Sequence, residues 1–192
     1  MNDLDMYFIK KTVEENLSPK RYQHVVGVIE TARELALMHK EPFTGALLAA
    51  LTHDVLKELP LEESKQMLIK YGEESYLDYS SKVWHAPLGA IYAKEKFNIT
   101  HCDVLNAVRY HTTGRSNMSL LEKIIFVADY TEPNRKFEGA EVVRKLWNDI
   151  DKAVYEILKQ KIEKVKANGL GMHPDTISAY EYYKSVVNAE DL

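Results

Sequence analysis

The chain has 192 residues, of which 45% are hydrophobic and 28% charged, with 8 glycines and 6 prolines. Against a typical size of roughly 150 residues per domain, this length predicts one domain, and the composition excludes disordered, collagen-like and low-complexity proteins. The 25 basic and 29 acidic residues give a net charge of −4, so no basic surface is expected to bind nucleic acid or an anionic membrane.

The cysteine content and the N-terminal residues bear on the compartment. Cys102 is the single cysteine, so no internal disulfide can form, and a lone thiol, expected to be buried and inert, favours the reducing cytoplasm. Residues 1–11 carry charge on both sides of a short apolar stretch and lack a small-residue cleavage site, which argues against a signal peptide. The uncharged stretch 42–52 is far shorter than the ~20 apolar residues of a membrane helix.

Apolar residues recur at spacings of three and four along the chain, which predicts an all-α fold. Residues 1–17 are predicted to form an N-terminal helix before a single domain over 18–192. Ser18 followed by Pro19 predicts the start of a helix that continues to about Lys40. A second, central helix is predicted from Thr44 to about residues 59–60, with His53 and Asp54 in its last turns.

The middle of the chain predicts three further helices. Residues 61–71 are amphipathic and are stopped by a glycine, and a helix opening around Pro87 would place His85 at its entrance. Thr100 and Asp103 form a weak capping box for a helix whose C-terminal end carries His111, before a breaking glycine at position 114.

The last part of the chain also predicts helices. Ser119 and Glu122 form a better capping box for a strongly apolar helix that Pro133 stops, with Asp129 near its end. Two charged helices are predicted over 139–167, meeting near residues 148–149 and closing at 169–171, and a final helix follows Pro174. Nowhere does a strand precede a glycine-rich turn, so side chains or a metal would have to hold any phosphate.

Histidine and aspartate residues recur at the predicted helix ends, where clefts form. A metal site made of histidine and aspartate, without cysteine thiolate, suits Fe, Mn, Co, Ni or Zn better than Cu(I). A single histidine on an apolar face is more often a hydrogen-bonded core residue than a ligand. Asp129 is different, because a buried carboxylate among apolar residues costs several kcal/mol unless a cation or hydrogen bonds compensate it. The candidate ligands are His24, His53, Asp54, His85, His111 and Asp129.

The ordered series His24, His53-Asp54 and Asp129 resembles the HD superfamily of metal-dependent phosphohydrolases. Accessory motifs make the chain similar, over about residues 18–185, to the YqeK-type symmetrical bis(5'-nucleosyl)-tetraphosphatases. These motifs are Arg21-Tyr-Gln-His24, His53-Asp-Val-Leu-Lys57, Trp84-His85-Ala-Pro-Leu-Gly89, His111-Thr-Thr-Gly114, the segment 118–135 and His173-Pro-Asp-Thr-Ile177. The resemblance implies an all-α, single-domain helical bundle with a central metal site.

The resemblance also implies roles for individual residues. His24, His53, Asp54 and Asp129 would hold iron, as one ion or two. His85 and His111 would either complete a second metal site, with Asp54 bridging, or donate hydrogen bonds to a substrate phosphate. The implied catalytic residues are His53, Asp54, Lys57, His85 and His111. The implied substrate-binding residues are Arg21, Asp54, Val55, Leu56, Lys57, His85, His111, Thr112, Arg135, Met172, His173, Pro174, Asp175, Thr176 and Ile177.

The implied reaction is the symmetrical cleavage of diadenosine tetraphosphate into two ADP by a metal-activated water. A bound metal lowers the pKa of water and supplies hydroxide, while Lys57, Arg135 and Arg21 would neutralise phosphate oxygens. Since ADP is an acidic leaving group, no strong general acid is required. Two alternatives stay open: an HD phosphohydrolase of nucleoside mono- or triphosphates, and a non-catalytic metal- and nucleotide-binding sensor. The expected partner is the nucleotide, with a homodimer possible and no nucleic acid.

Overall fold

The computed structural model describes residues 3–167 and 171–190, and these residues form helices with no β-strand, which confirms the all-α prediction. Two short 3₁₀ helices, Glu74–Asp78 and Ser81–Val83, accompany the α-helices. The α-helices of the described residues are α1 (Asp3–Asn16), α2 (Pro19–His39), α3 (Phe43–Thr52), α4 (Leu61–Lys70), α5 (His85–Phe97), α6 (Cys102–Tyr110), α7 (Leu120–Thr131), α8 (Glu138–Arg144), α9 (Ile150–Ala167) and α10 (Pro174–Glu190).

Two serine caps begin helices where the sequence predicts them. The Ser18 hydroxyl accepts a hydrogen bond from the Arg21 backbone N–H at 3.3 Å at the start of α2. Ser119 caps α7 in the same way, accepting from the Glu122 N–H at 3.3 Å. The Glu122 carboxylate does not fold back onto the cap but pairs with Arg115 at 2.8 and 2.9 Å. Each cap satisfies one otherwise unpaired N–H of the first turn.

The second predicted helix ends earlier than expected. α3 stops at Thr52, so His53 and Asp54 lie just beyond it rather than in its last turns. The ring of His53 donates to the carbonyl of Ala50 at 2.7 Å. Beyond it the backbone forms turns that are closed by hydrogen bonds between residues three apart, such as the Val55 N–H donating to the Thr52 carbonyl at 3.1 Å. The prediction was wrong because the apolar pattern continues through these turns.

The predicted capping box at Thr100 and Asp103 is also wrong. α6 begins at Cys102, its N-cap is His101, and no side chain caps it. Cys102 lies exposed at this helix start, which contradicts the expected burial of the thiol. The other end of α6 matches the prediction: it stops before His111, and Gly114 adopts a left-handed backbone with φ of 67°.

The core is built around α3 and α7. α3 packs against α2, α6 and α7, and α7 also packs against α8 and α9. The α7 residues Ile124, Ile125 and Phe126 are at most 1% exposed. Burying each such side chain contributes about 1.5–3 kcal/mol. This packing brings the ends of α3, α6 and α7 close to the second turn of α2.

The C-terminal helices follow the prediction. α8 and α9 are separated by residues 145–149, and Pro174 occupies the first position of α10. Of the turn predicted at 169–171, residues 169 and 170 lie outside the described residues. Within the described part of the chain, no helix is long and apolar enough to span a membrane.

Candidate functional site

Five segments bring together the six residues that the sequence analysis proposed as metal ligands. The second turn of α2 supplies His24, the turn after α3 supplies His53 and Asp54, and the first residue of α5 is His85. The last two are His111, which follows α6, and Asp129 in the last turn of α7. The first five are buried, at most 7% exposed, and Asp129 is half-buried. We refer to these six residues as the cluster.

Asp54 lies between two pairs of histidines. Its Oδ2 atom is 3.6 Å from Nε2 of His24 and 3.5 Å from Nε2 of His53. Its Oδ1 atom is 3.1 Å from Nε2 of His85 and 3.6 Å from Nε2 of His111. The two oxygens of one carboxylate therefore face different pairs of imidazoles.

The hydrogen bonds of two histidines determine their tautomers. His53 Nδ1 lies 2.7 Å from the Ala50 carbonyl, and His111 Nδ1 lies 2.7 Å from the Val108 carbonyl. A carbonyl oxygen only accepts, so each Nδ1 carries the hydrogen and donates it. In the neutral ring, Nε2 then presents a lone pair to the cluster, which is the state that binds a metal.

His24 is oriented by a carboxylate. Its Nδ1 lies 3.1 Å from Oε1 of Glu132, and its Nε2 lies 3.0 Å from Oδ1 of Asp129. Glu132 also accepts from the backbone N–H of Asn134 at 2.7 Å. A Cβ at Gly27, one turn beyond His24, would lie 2.5 Å from Glu132 Oε2. The glycine thus permits α2 to approach the residue that holds His24.

The donor set fits a divalent cation. The Nε2 atoms of His24 and His53 are buried, and neither makes a hydrogen bond within the described chain. Buried polar atoms are seldom left unpaired, and these two face carboxylate oxygens across a common space. Two sets of ligand atoms lie within 4.8 Å of one another: His24, His53 and Asp129, and His53, Asp54 and His111. Imidazole nitrogen and carboxylate oxygen suit the first-row divalent metals.

The electrostatics of the cluster attract positive charge. Burial raises the pKa of Asp54 and of Asp129, but the neighbouring histidines outweigh it and hold both values well below the usual range. Burial lowers the pKa of His53, yet the Asp54 carboxylate outweighs it and the net shift is upward. Burial lowers the pKa of His85 to about 4, so this ring is neutral at physiological pH.

Three predicted phosphate-binding cations border the cluster. Arg21 Nη1 lies 3.1 Å from Oδ2 of Asp54. Arg135 Nη2 lies 3.2 Å from Oδ1 of Asp129. Lys57 Nζ lies 3.3 Å from Nδ1 of His85, and burial lowers the pKa of Lys57. Positive charge is therefore concentrated where a phosphate would meet the cluster.

The predicted nucleoside loop lines a cavity of about 300 Å³ that reaches Asp129 and Thr112. Met172, His173 and Thr176 contribute to its wall. The His173 ring stacks on Tyr76 with 4.6 Å between centroids, which fixes the loop. We call this the loop cavity.

The other members of the predicted substrate-binding set lie elsewhere. Pro174 and Asp175 form the first turn of α10, where the Asp175 N–H donates to Nδ1 of His173 at 3.3 Å. Ile177 is 49% exposed and does not line the loop cavity. The side chains of Val55 and Leu56 lie in the hydrophobic core, 0% and 7% exposed. These two share the turn with Asp54, and their side chains pack in the core.

Three residues that support the site were not predicted from the sequence. Glu132 orients His24, and Arg144 binds the backbone of the turn that follows α7. Lys161 lines the loop cavity, donates to the Thr112 carbonyl at 2.7 Å and lies 4.3 Å from the centre of the Phe126 ring. Burial lowers the pKa of Lys161 to about 8. Of these three, only Glu132 lies within a segment, 118–135, that carries the family resemblance, but that segment gave no indication of its contact with His24.

The chain is similar in sequence to known proteins. The family model of the HD domain matches residues 21–134. A protein of Halalkalibacterium halodurans named "Bis(5'-nucleosyl)-tetraphosphatase, symmetrical" is 42% identical over 170 residues, covering 88% of this chain and 91% of the relative. A Bacillus subtilis protein of the same name is 39% identical over 175 residues, covering 90% of this chain and 94% of the relative.

A solved structure has the same fold. The crystal structure of a protein from Clostridium acetobutylicum, described as a predicted HD superfamily hydrolase involved in NAD metabolism, gives a TM-score of 0.85 at 38% identity. The match covers 96% of this chain and 98% of that one. The chain belongs to the HD domain family, whose members are metal-dependent hydrolases. The resemblance to the symmetrical bis(5'-nucleosyl)-tetraphosphatases is confirmed by the two relatives above.

Proposed function

We propose that this protein hydrolyses diadenosine tetraphosphate symmetrically to two ADP. The relatives that carry this activity in their names cover nearly the whole chain. The observation that carries the proposal is the contact of two cationic side chains with the two carboxylates of the cluster: Arg21 with Asp54 at 3.1 Å and Arg135 with Asp129 at 3.2 Å. A polyphosphate held by these arginines would lie directly against the candidate metal ligands.

The cluster residues would hold the metal. His24, His53, Asp54 and Asp129 supply the ligand atoms, and His111, whose Nε2 carries a lone pair, supplies a further one beside Asp54. When bound there, a divalent cation supplies positive charge and lowers the pKa of a water molecule. We propose iron as this cation, in one or two copies, because the resemblance to the symmetrical bis(5'-nucleosyl)-tetraphosphatases implies it, and a donor set of nitrogen and oxygen without sulfur is compatible with it. Manganese, cobalt, nickel and zinc suit the same donors.

The surrounding residues bind and orient the substrate. Water attacks the phosphorus of one middle phosphate, and the bridging oxygen leaves with the other half, so that both products are ADP. The oxygen of the water stays on the attacked half and its protons are released. Arg21 and Arg135 neutralise oxygens of the transferred phosphoryl group, where negative charge must be balanced. Nε2 of the neutral His85 ring lies 3.1 Å from Nε2 of His111 and 3.1 Å from Oδ1 of Asp54. Both of these atoms are acceptors, so His85 Nε2 carries the ring hydrogen and directs it into the cluster. Lys57 Nζ lies 3.3 Å from both nitrogens of this ring. His85 can offer that hydrogen to a phosphate oxygen instead.

The substrate's first nucleoside is assigned to the loop cavity. The wall of that cavity carries Lys161 and Asp129 at one end and the loop residues Met172 and His173 at the other. With the nucleoside against the loop, a phosphate would lie next to the cluster. We also propose that the protein acts in the cytoplasm, where its single exposed thiol would stay reduced.

Separation of the reaction products tests the proposal. Metal-loaded protein is incubated with diadenosine tetraphosphate, and the nucleotides are resolved by anion exchange. The proposal predicts ADP alone, and no product from His53→Ala. Release of AMP and ATP would refute the symmetrical cut. A parallel panel of nucleoside mono- and triphosphates would refute the substrate assignment if any of them were hydrolysed in preference to the dinucleotide.

A further inference from the structure

A second cavity lies beside the cluster, at the N-terminal end of α2. Its volume is about 490 Å³, and Lys20, Gln23 and His24 of α2 face Asn134 and Arg135 across it. We call it the α2 cavity. It shares no lining residue with the loop cavity of about 300 Å³. Both volumes fall in the range of about 300–1,000 Å³ that is typical of small-molecule sites.

The two cavities meet at one side-chain contact. His24 lines the α2 cavity and Asp129 lines the loop cavity. Nε2 of His24 and Oδ1 of Asp129 are 3.0 Å apart. A ligand that extended from one cavity into the other would therefore cross the cluster at these two candidate metal ligands.

The charges of the α2 cavity suit an anionic ligand. Lys20, Arg21 and Arg135 line it, and the exposed Lys20 forms no ion pair within the described residues. Its two acidic residues are already engaged. Glu58 accepts from the backbone N–H of Ser18 at 2.6 Å and from its hydroxyl at 2.9 Å, and Glu132 is bound to His24.

We infer that the α2 cavity binds the second nucleoside diphosphate half of the substrate, while the first half occupies the loop cavity. This inference rests on the proposed function. With one nucleoside in each cavity, the four phosphates span the His24–Asp129 contact and the middle anhydride lies at the cluster. The position of the two cavities, one on each side of the cluster, then accounts for a symmetrical cut. The bond at the cluster is the middle anhydride, and its cleavage leaves two phosphates on each half.

Binding of the product tests this inference without hydrolysis. The number of ADP molecules bound per chain is measured by equilibrium dialysis with metal-loaded protein. Wild type is expected to bind two. Gln23→Trp, which fills the α2 cavity from an exposed position, is expected to bind one. Lys65→Trp, on the exposed face of α4, is the matched control and should bind two. One ADP per wild-type chain, or two per Gln23→Trp chain, would overturn the inference.

Kinetics on two substrates separate this inference from the proposed function. Adenosine 5'-tetraphosphate carries one nucleoside and needs only the loop cavity for it. Gln23→Trp is expected to lower kcat/KM about tenfold for diadenosine tetraphosphate and less than about twofold for adenosine tetraphosphate. Lys20→Glu reverses a charge that would face phosphates present in both substrates, so it should lower kcat/KM for both. Equal losses on both substrates in Gln23→Trp would refute the second subsite alone, whereas wild type that forms no ADP from diadenosine tetraphosphate would refute the proposed function.

Discussion

Glu132 determines how His24 faces the cluster. Oε1 of Glu132 lies 3.1 Å from Nδ1 of His24, and the opposite ring nitrogen, Nε2, lies 3.0 Å from Asp129. Glu132 is only 2% exposed, so its charge is not screened by water. A carboxylate on the outer nitrogen fixes the tautomer of a ligating histidine and raises its basicity. Glu132 is therefore a positioning residue for the candidate metal site.

Removal of this carboxylate is expected to weaken metal binding. Glu132→Ala should raise the Kd for Mn²⁺ or Fe²⁺ about 10- to 100-fold, because the His24 ring loses its orientation. Competition with a chromophoric chelator measures this constant. Glu132→Gln retains a carbonyl that can accept from Nδ1 and should lose less. Glu63→Ala, an exposed substitution on α4, should leave the Kd unchanged. Wild-type affinity in Glu132→Ala would contradict the role.

Arg144 is expected to stabilise the turn that carries Glu132 and Arg135. Its Nε donates to the Thr131 carbonyl at 3.0 Å, and its Nη2 donates to the carbonyls of Glu132 and Arg135, each at 2.9 Å. Arg144→Met removes these charged donors and should lower the free energy of unfolding by about 2–4 kcal/mol.

Denaturant unfolding measures the effect of Arg144→Met. Arg33→Met, at an exposed position of α2, is the control and should change the free energy of unfolding by less than about 0.5 kcal/mol. An Arg144→Met protein as stable as this control would show that the turn does not depend on Arg144 for its stability.

The charge of Lys161 is expected to make substrate binding depend on pH. Burial lowers its pKa to about 8, so the side chain is charged below that pH and becomes neutral as the pH rises through it. The phosphate chain then loses a cation, and KM for diadenosine tetraphosphate should rise above pH 8. Lys161→Arg remains charged and should show a flat KM over this range. Lys161→Met should show a high KM already at neutral pH. A wild-type KM that stays constant through pH 8 would refute the role.

Local signals in the sequence were sufficient for most of the fold. The hydroxyls of Ser18 and Ser119 act within their own first turns, so a pattern of a few residues predicts both helix starts. Thr100 failed as a cap because α6 begins one residue after His101. The end of α3 was missed because the ring of His53, rather than a breaker residue, terminates it against the Ala50 carbonyl.

In the site, the cluster residues were predictable from the sequence, but the residues that support them were not. The order of His24, His53, Asp54 and Asp129 indicated the cluster, because it resembles the order of metal ligands in the HD superfamily. Glu132 and Lys161 were not predicted, since each acts through a partner that lies far away in the chain. Glu132 contacts a residue 108 positions earlier, and Lys161 contacts one 49 positions earlier. Such pairings depend on how α2, α7 and α9 pack, which periodicity does not reveal.

The central claim is that the cluster holds the metal on which ADP formation depends. The direct measurement strips the protein with a chelator, returns iron in steps under anaerobic conditions, and follows ADP release from diadenosine tetraphosphate. The account predicts that stripped protein is inactive, that ADP formation rises with bound iron until the cluster is filled, and that His53→Ala neither retains the iron nor regains activity. Undiminished ADP formation by stripped protein would contradict it.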